Sequence, residues 1–317
     1  MGRDAPRLVS VVIPVRNAAR LLPDQLNALA AQDYDGPWEV VVADNGSSDG
    51  SASVARRLAR RLPSLRVVDA SGRRGVGPAR NAGAAAAGGD LLAFCDADNV
   101  ADPGWLGEIV RAATSADLVV GATIVDRVNR PDQAIWGGRP ADGVPVGLGF
   151  MPFANGGNCA YWSDVFTALG GFDSEFEGGE DMDLSWRAQL AGYRLGFTPE
   201  ARMHRRYPDR LGTLLRKRWR WGRAGARLVR HYRPAGIPHG VRNEAGFLSG
   251  GARQLPRAAL SRSERGRWLA QAALICGRWY ELALSALSPS ANGAPGPPPA
   301  AAADPAAAAR DRGRTSG

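Results

Sequence analysis

Short apolar runs alternate with helical stretches through roughly the first 125 residues, and this alternation constrains the fold more than any other feature. The runs LVSVVIPV, WEVVVAD, LRVVDA and DLLAFCDAD are short and rich in apolar residues, as expected of strands buried on both faces. Amphipathic or alanine-rich segments separate them. Strands that alternate with helices predict an α/β fold, a mostly parallel sheet covered by helices.

Aspartates stand at the carboxyl ends of two predicted strands. Asp44 ends the second strand, and Asp96 and Asp98 end the fourth. Ligands of open α/β sheets bind at these ends, so the three carboxylates are expected to share one site. If strand geometry persists, Asp96 and Asp98 point to the same side and can hold a divalent cation. A turn or a cap for the helix after Asp102 is the alternative, and Asp44 can also form an Asx turn.

Two predicted helices begin with further charged candidates. Arg80, in GPARNAG, is an unpaired cation where a diphosphate would lie. The glycines around it do not form GxGxxG, which speaks against a dinucleotide site. Glu180 and Asp181 begin another helix after FEGG, where carboxylates also complement the helix dipole.

The charge of the chain is unevenly distributed. The segment Arg202–Arg278 has nineteen basic and three acidic residues, a net +16, whereas the remainder is net −7. Such a segment predicts an anionic partner, namely phospholipid, nucleic acid or a phosphorylated substrate, or else only a solvated arginine-rich surface. Before it, Asp126–Phe153 is rich in Gly and Pro and is expected to form a long functional or mobile loop.

Cysteine usage and hydropathy predict a cytoplasmic protein. The three cysteines are far apart and show no CxxC spacing, which disfavours a disulfide scaffold or a zinc site. The N-terminus lacks the apolar stretch of a signal peptide. The most apolar segment, Trp268–Leu287, is interrupted by Gln271, Arg278 and Glu281 and is too polar for an isolated spanning helix.

The ordered motifs VSVVIPVRN, VVADNGSSDGS, GPARNAGAAAAGGDLLAFCDAD and ANGGNCAYW through GEDMDLSWRAQLAGYR resemble the family 2 glycosyltransferases. The resemblance covers about Leu8 to Tyr207. It implies the GT-A fold, a Rossmann-like sheet, and inverting transfer of a sugar from a nucleotide-diphosphate donor to an acceptor hydroxyl. The acceptor would be a glycan, a lipid-linked molecule or a small molecule, and the cofactor Mg²⁺ or Mn²⁺.

The resemblance also implies which residues bind the donor. Pro14, Arg16 and Asp44 match positions that hold the nucleoside, and Arg80 matches the basic residue near the base and phosphates. The small-residue turn that lets the donor sugar approach the backbone is matched by Gly156 and Gly157.

Metal and catalytic roles follow from the same resemblance. Asp96 matches the first DxD carboxylate, which contacts ribose or metal, and Asp98 matches the main metal ligand. His204 lies where related enzymes often have a further metal or diphosphate ligand, although it can equally be a surface histidine. Asp181 matches the general base, and Glu180 beside it helps to place the acceptor.

These roles agree with the chemistry of sugar transfer. Negative charge grows on the diphosphate as it leaves, so a cation at Asp98, helped by Arg80, would stabilise it. A carboxylate on the opposite face of the sugar would remove the acceptor proton, which typically accelerates such steps roughly 10²–10⁴-fold. One base and one backside attack give inversion.

Departures from the family pattern predict single-sugar transfer. Processive synthases of this family have QxxRW, whereas LRKRW places Leu215 where the glutamine belongs. Clear membrane spans, which processive relatives have, are also missing. Three regions are expected: a catalytic domain over residues 1–235, a basic helical extension over 236–288, and a disordered Pro/Ala-rich tail over 289–317.

Two further hypotheses use the basic C-terminal half of the chain, and a third is that the protein is a nucleotidyltransferase. Its aromatic residues suit docking on an anionic membrane at the inner face of the cell membrane, or packing against the catalytic domain; they are Trp219, Trp221, Trp268, Trp279 and Tyr280. A nucleic-acid-binding protein would use RKRWRWGR for phosphates and stacking, but leaves the aspartates unexplained. A nucleotidyltransferase needs a Gly-rich basic loop after the first strand, which VIPVRNAARLL is not.

Overall fold

The structure, a computed structural model, describes residues 2–131, 133, 143–238 and 261–287. The predicted tail over 289–317, the middle of the predicted loop, and residues 239–260 of the predicted extension lie outside the described residues.

Strands and helices alternate through the described chain as the sequence predicts. The strands are β1 (Val9–Val15), β2 (Trp38–Asp44), β3 (Leu65–Asp69), β4 (Leu91–Cys95), β5 (Val100–Ala101), β6 (Leu118–Ile124), β7 (Val146–Gly147), β8 (Met151–Pro152), β9 (Asn158–Trp162) and β10 (Leu195–His204). The helices are α1 (Leu22–Ala30), α2 (Ser51–Leu58), α3 (Val76–Ala86), α4 (Trp105–Ala113), α5 (Ser163–Ala168), α6 (Glu180–Leu190), α7 (Leu211–His231) and α8 (Arg262–Leu287).

One mixed sheet organises the fold, in the order β3-β2-β1-β4-β9-β6-β10-β5. β9 runs antiparallel to β4 and β6, and β5 antiparallel to β10, while the other neighbours are parallel. The prediction of a mostly parallel sheet is therefore confirmed. In the register of β1 and β2, Val15 pairs with Asp44, so the two strands end level at one edge.

The core lies on both faces of this sheet. Strands β1, β2 and β4 are buried along nearly their whole length, which explains their uninterrupted apolar sequences. Leu22, Leu26 and Leu29 of α1 are buried as one stripe, as the sequence predicts. On the other face, Phe94, Tyr161, Phe166 and Phe172 pack with ring centroids 5.3–6.4 Å apart.

Two local predictions need correction. Strand β4 ends at Cys95, and the Asn99 N–H donates to the Asp96 carbonyl at 3.3 Å, so Asp96 and Asp98 lie in a turn rather than in an extended strand. The predicted loop over 126–153 contains an antiparallel hairpin, in which Val146 of β7 pairs with Pro152 of β8. Two-residue strands are too short to show periodicity in the sequence.

The two long basic helices pack against each other. At Gly222 of α7 and Gly277 of α8 the backbones approach so closely that a Cβ on either glycine would overlap the backbone of the other helix. Glu281 of α8 accepts hydrogen bonds from Arg223 Nε at 2.7 Å and Arg227 Nε at 2.8 Å. Among the described helices, none combines the length and the apolar content that crossing a membrane requires.

Candidate active site

A cavity of about 1070 Å³ opens at the carboxyl ends of β1 and β4, and α7 and α8 line its other side. Predicted site residues from four separate segments line it together: Pro14, Arg16, Arg80, Asp96, Asp98, Glu180 and Asp181. We call the side formed by Arg80, Asp96, Glu180 and Asp181 the strand-end wall. The side formed by Arg205, Lys217, Trp221, Leu274 and Arg278 is the helical wall.

Arg80 is buried and bridges two acidic residues of the strand-end wall. Its Nη2 donates to Asp96 Oδ1 at 2.8 Å and its Nη1 to Glu180 Oε1 at 3.2 Å. The guanidinium also lies 5.3 Å from the ring centre of Phe172. The prediction that Arg80 is unpaired is therefore wrong, because a guanidinium that is 4% exposed needs counter-charges.

The charges around this bridge shift the pKa values of its members. Burial alone would raise the pKa of Asp96, but Arg80, Lys217 and Arg205 outweigh it and lower the pKa below its usual range. Burial and the neighbouring Asp181 raise the pKa of Glu180, although Arg80 opposes them. Arg80 thus holds Asp96 as a charged carboxylate.

Gly156 and Gly157 lie directly behind this bridge and do not line the cavity. A Cβ on Gly156 would lie 2.5 Å from Arg80 Nη1, and one on Gly157 would lie 2.5 Å from Asp96 Oδ2. Larger residues would displace the ion pair, so glycine is needed here for the close approach of backbone to side chain.

Asp181 is held by backbone N–H groups at the N-terminus of α6. Its Oδ2 accepts from Gly156 N at 3.2 Å and its Oδ1 from Met182 N at 2.9 Å. Both bonds orient the carboxylate, and the helix dipole favours its negative charge.

In the part of the chain that the structure describes, the Asp98 carboxylate forms no ion pair or side-chain hydrogen bond with another residue. Burial and the neighbouring Asp96 raise its pKa, although Lys217 and Arg205 oppose them. A half-buried pair of carboxylates facing an open cavity fits a hard divalent cation, which prefers oxygen ligands. Within the described residues no group of three or more His, Cys, Asp or Glu is placed to hold a metal, so protein oxygens alone would not complete the coordination.

His204 is engaged outside the cavity. It ends β10, is 6% exposed, and places Nε2 at 2.7 Å from Asp102 Oδ1. This pair joins the end of β10 to the segment after β5, and His204 is not among the lining residues. The interpretation as a surface histidine is wrong because the side chain is buried.

Asp44 also lies beside the cavity rather than in its lining. Its Oδ1 accepts from Ser47 N at 3.0 Å, which is the predicted Asx turn. The next residue, Asn45, does line the cavity and donates to the carbonyls of Ala70 and Arg73 while accepting from Gly75 N. Asn45 therefore joins the ends of β2 and β3 to the start of α3.

The helical wall holds the residues that the sequence analysis missed as site residues. Arg205, Lys217 and Arg218 surround the ring of Trp221 at 5.7, 5.4 and 5.0 Å from its centre. Burial and Arg205 lower the pKa of Lys217, although Asp98 and Asp96 oppose them. The only signal in the sequence was the cluster RKRWRWGR, which predicts a basic aromatic surface but not which way it faces.

Comparison with known proteins identifies the family of this chain. Residues 10–166 match the sequence model of glycosyl transferase family 2. Glycosyltransferase AglE of Haloferax volcanii is 31% identical over 227 residues, which cover 68% of this chain and 72% of AglE. Undecaprenyl-phosphate mannosyltransferase of Micrococcus luteus is 30% identical over 201 residues, covering 60% of this chain and 82% of the relative. The pre-mycofactocin glycosyltransferase of Mycobacterium tuberculosis is 30% identical over 241 residues, but these are only 48% of its length.

Among solved structures, the mannosyltransferase PcManGT from Pyrobaculum calidifontis, in complex with GDP-Man and Mn²⁺, superposes with a TM-score of 0.61. The match covers 89% of both chains at 22% identity, which supports the shared fold. The expected GT-A architecture is confirmed. The chain is a glycosyltransferase and belongs to glycosyl transferase family 2.

Proposed function

We propose that this glycosyltransferase moves one sugar, with inversion, from a nucleoside-diphosphate donor to an acceptor hydroxyl. The observation that carries the proposal is the placement of Asp98 and Asp181 in one cavity, on two different elements. Asp98 follows β4, where the donor diphosphate would be bound, and Asp181 begins α6, where an acceptor would be deprotonated.

The donor would bind along the ends of β1 and β2. Pro14 and Arg16 line the cavity at the end of β1 and would contact the nucleoside. Asp44 would reach it from the end of β2, with one oxygen still engaged by Ser47. Gly156 and Gly157 leave room for Arg80 and Asp96, which would lie behind the donor sugar.

Mg²⁺ or Mn²⁺ would be held by Asp98, with Asp96 contacting the ion or the ribose. When bound, the ion would act as a Lewis acid that stabilises the departing diphosphate. The similar mannosyltransferase from Pyrobaculum was solved with GDP-Man and Mn²⁺, which supports this assignment. Lys217 and Arg205 face the same carboxylates and would add positive charge on the side of the leaving phosphates.

Asp181 would act as the general base. As the acceptor oxygen bonds to the anomeric carbon, its proton would pass to a carboxylate oxygen of Asp181, and the bond to the diphosphate would break. Glu180, fixed by Arg80 and by Gly178 N at 2.7 Å, would help to place the acceptor.

The residues of the helical wall are relevant to two other predictions, nucleic-acid binding and the end of the catalytic domain. Lys217, Arg218 and Trp221 line the cavity, so much of RKRWRWGR faces inward, which disfavours nucleic-acid binding. Leu274 and Arg278 of α8 line it too, so we place α8 in the catalytic unit instead of ending that unit at residue 235. Transfer of single sugars in the cytoplasm stays our prediction.

A thermal-shift panel with UDP, GDP, dTDP and CDP, each with and without Mn²⁺, tests the proposal. We expect one nucleotide to raise the melting temperature, and only when the metal is present. Stabilisation by none of them would contradict a sugar-nucleotide site.

A further inference from the structure

Over its last five turns, helix α8 buries its charged side chains and exposes large apolar ones. Its charged residues Arg278 and Glu281 are 6% and 7% exposed, whereas Trp279 is 46% and Leu287 81% exposed. From Trp268 to Leu287 no exposed residue is charged. The large apolar side chains exposed on this helix, which we call the apolar face, are Leu269, Trp279, Tyr280, Leu282, Leu284 and Leu287.

The buried charged residues of α8 face the rest of the protein and not the solvent. Glu281 binds Arg223 and Arg227 of α7, and Arg278 lines the cavity. The close approach of Gly277 to the backbone of Trp219 fixes the rotation of the helix about its axis. The helix therefore cannot turn its apolar face inward without breaking an ion-pair network and a tight backbone contact.

Exposing such an apolar face to water is energetically unfavourable. Twenty residues of helix extend about 30 Å, and five of the six large side chains of the apolar face lie in the last nine residues, Trp279–Leu287, so the apolar strip is densest there. Large contiguous apolar patches rimmed by polar residues mark contact with a partner or a membrane. Trp279 and Tyr280 are of the type enriched at membrane interfaces.

Arginines supply the exposed charge of the helix pair that bears this face. The exposed charged side chains of α7 and α8, as far as the structure describes them, are all arginines: Arg216, Arg220, Arg230, Arg265 and Arg267. A second copy docked on the same face would bring two arginine-rich helix pairs together, and like charges repel. An anionic bilayer would accept both the apolar strip and the positive charge of these helices.

We propose that the apolar face of α8 docks the protein on a lipid bilayer with anionic headgroups. Leu274 and Arg278 of the same helix line the cavity, so docking would place the cavity beside the bilayer surface. The docking does not depend on the proposed chemistry, whereas the consequence that the acceptor is lipid-linked rests on the proposed function.

Flotation of the full chain with vesicles tests the docking. We compare phosphatidylcholine vesicles with vesicles that also contain phosphatidylglycerol, at low and at high salt. The parent protein should float with the anionic vesicles, less at high salt and least with neutral ones. Absence of the parent from the anionic vesicle fraction at low salt would overturn the proposal.

The double variant Leu284→Glu/Leu287→Glu places two charges on the apolar face. Both side chains are exposed, so the fold should persist, which a thermal melt checks. Partitioning to anionic vesicles should weaken about tenfold or more, because two exposed leucines that would enter the bilayer are replaced by anions. The matched control Leu190→Glu changes an exposed leucine at the end of α6 and should float like the parent.

Equal flotation of the double variant and the parent would overturn the role of the apolar face. So would a lipid-free dimer that the double variant dissociates, since a second copy would then cover the face. Nucleotide-dependent thermal shifts of the same samples report the donor site separately, so failure of docking is distinguishable from failure of the proposed function.

Discussion

The two walls of the cavity hold their charged side chains in different ways. In the strand-end wall, Arg80 is hydrogen-bonded to Asp96 and Glu180, and Asp181 accepts two backbone N–H groups. In the helical wall, Lys217 and Arg205 contact Trp221 but form no ion pair within the described ranges. The strand-end wall is thus ordered by its own contacts, whereas the helical wall offers positive charge to a ligand.

The two walls are therefore suited to different tasks in the site. Fixed carboxylates are suited to chemistry, because oriented groups need no reorganisation in the transition state. Lys217 and Arg205 line the cavity without a direct ion pair among the described residues, so they are suited to binding the phosphates of an anionic ligand. Substitutions in the strand-end wall should therefore affect catalysis and stability, and substitutions in the helical wall chiefly affinity.

Asp181→Asn should have the largest effect and keep the fold. Loss of a general base typically slows a reaction about 10²–10⁴-fold, while nucleotide binding should persist because the base does not contact the donor diphosphate. The rate of donor hydrolysis or transfer and the nucleotide-induced thermal shift measure the two properties. Asp164→Asn, at a surface aspartate paired with Arg3, is the control. Full activity of Asp181→Asn would remove it from the role of base.

Arg80→Met should destabilise the protein by about 3–5 kcal/mol, since it leaves buried carboxylates without their partner. Urea unfolding measures the free energy of unfolding. The double variant Arg80→Met/Glu180→Gln should recover part of the loss, because one buried charge is removed as well. A loss below about 1 kcal/mol would contradict the claim that the strand-end wall is held by this bridge.

Lys217→Met should weaken nucleoside-diphosphate binding roughly tenfold and leave the melting temperature nearly unchanged. Lys217 has no direct ion pair to lose among the described residues, and its longer-range attraction to Asp96 and Asp98 is opposed by its own burial. Calorimetric titration measures the affinity. Arg216→Met changes the neighbouring exposed cation and should bind like the parent. If both variants bind equally well, the helical wall does not bind the diphosphate.

Acid should weaken the pairing of α7 and α8 by a smaller amount. Burial would raise the pKa of Glu281, but Arg227 and Arg223 outweigh it and lower the pKa. Because the folded pKa is depressed, Glu281 stabilises the fold above the pKa of an unfolded glutamate, about 4.3, and the contribution is lost as pH falls through the folded value.

Glu281→Gln should accordingly lower stability by about 1–2 kcal/mol at neutral pH and by less near pH 3. Urea unfolding at the two pH values measures the difference. An equal loss at both would mean that the charge of Glu281 does not hold the helices together.

The sheet and the aspartates at its carboxyl edge were predictable from local patterns. Apolar β-branched runs predict buried strands, and parallel strands bring their carboxyl ends, with Asp44, Asp96 and Asp98, to one edge. The turn at Asp96 was not predictable, because DAD continues a strand as readily as it ends one. The partners of Arg80 come from the turn after β4 and from the start of α6, sixteen and one hundred residues away, and such pairs leave no local signal.

The helical wall was harder to predict for a different reason. Helical periodicity shows that RKRWRWGR has faces, but not which face meets the cavity. In α8 the pattern misleads, because Arg278 and Glu281 read as interruptions of an apolar helix and turn out to be its buried side. Only the packing against α7 decides which side of that helix meets water.

Calorimetric titration of the nucleotide selected by the thermal panel, with and without Mn²⁺, into the parent protein and Asp98→Asn tests the central claim most directly. We expect binding to the parent to require the metal, and Asp98→Asn to lose that metal-dependent binding. Equally tight binding without the metal, or an unchanged metal requirement in Asp98→Asn, would contradict a metal-bound sugar nucleotide at the end of β4.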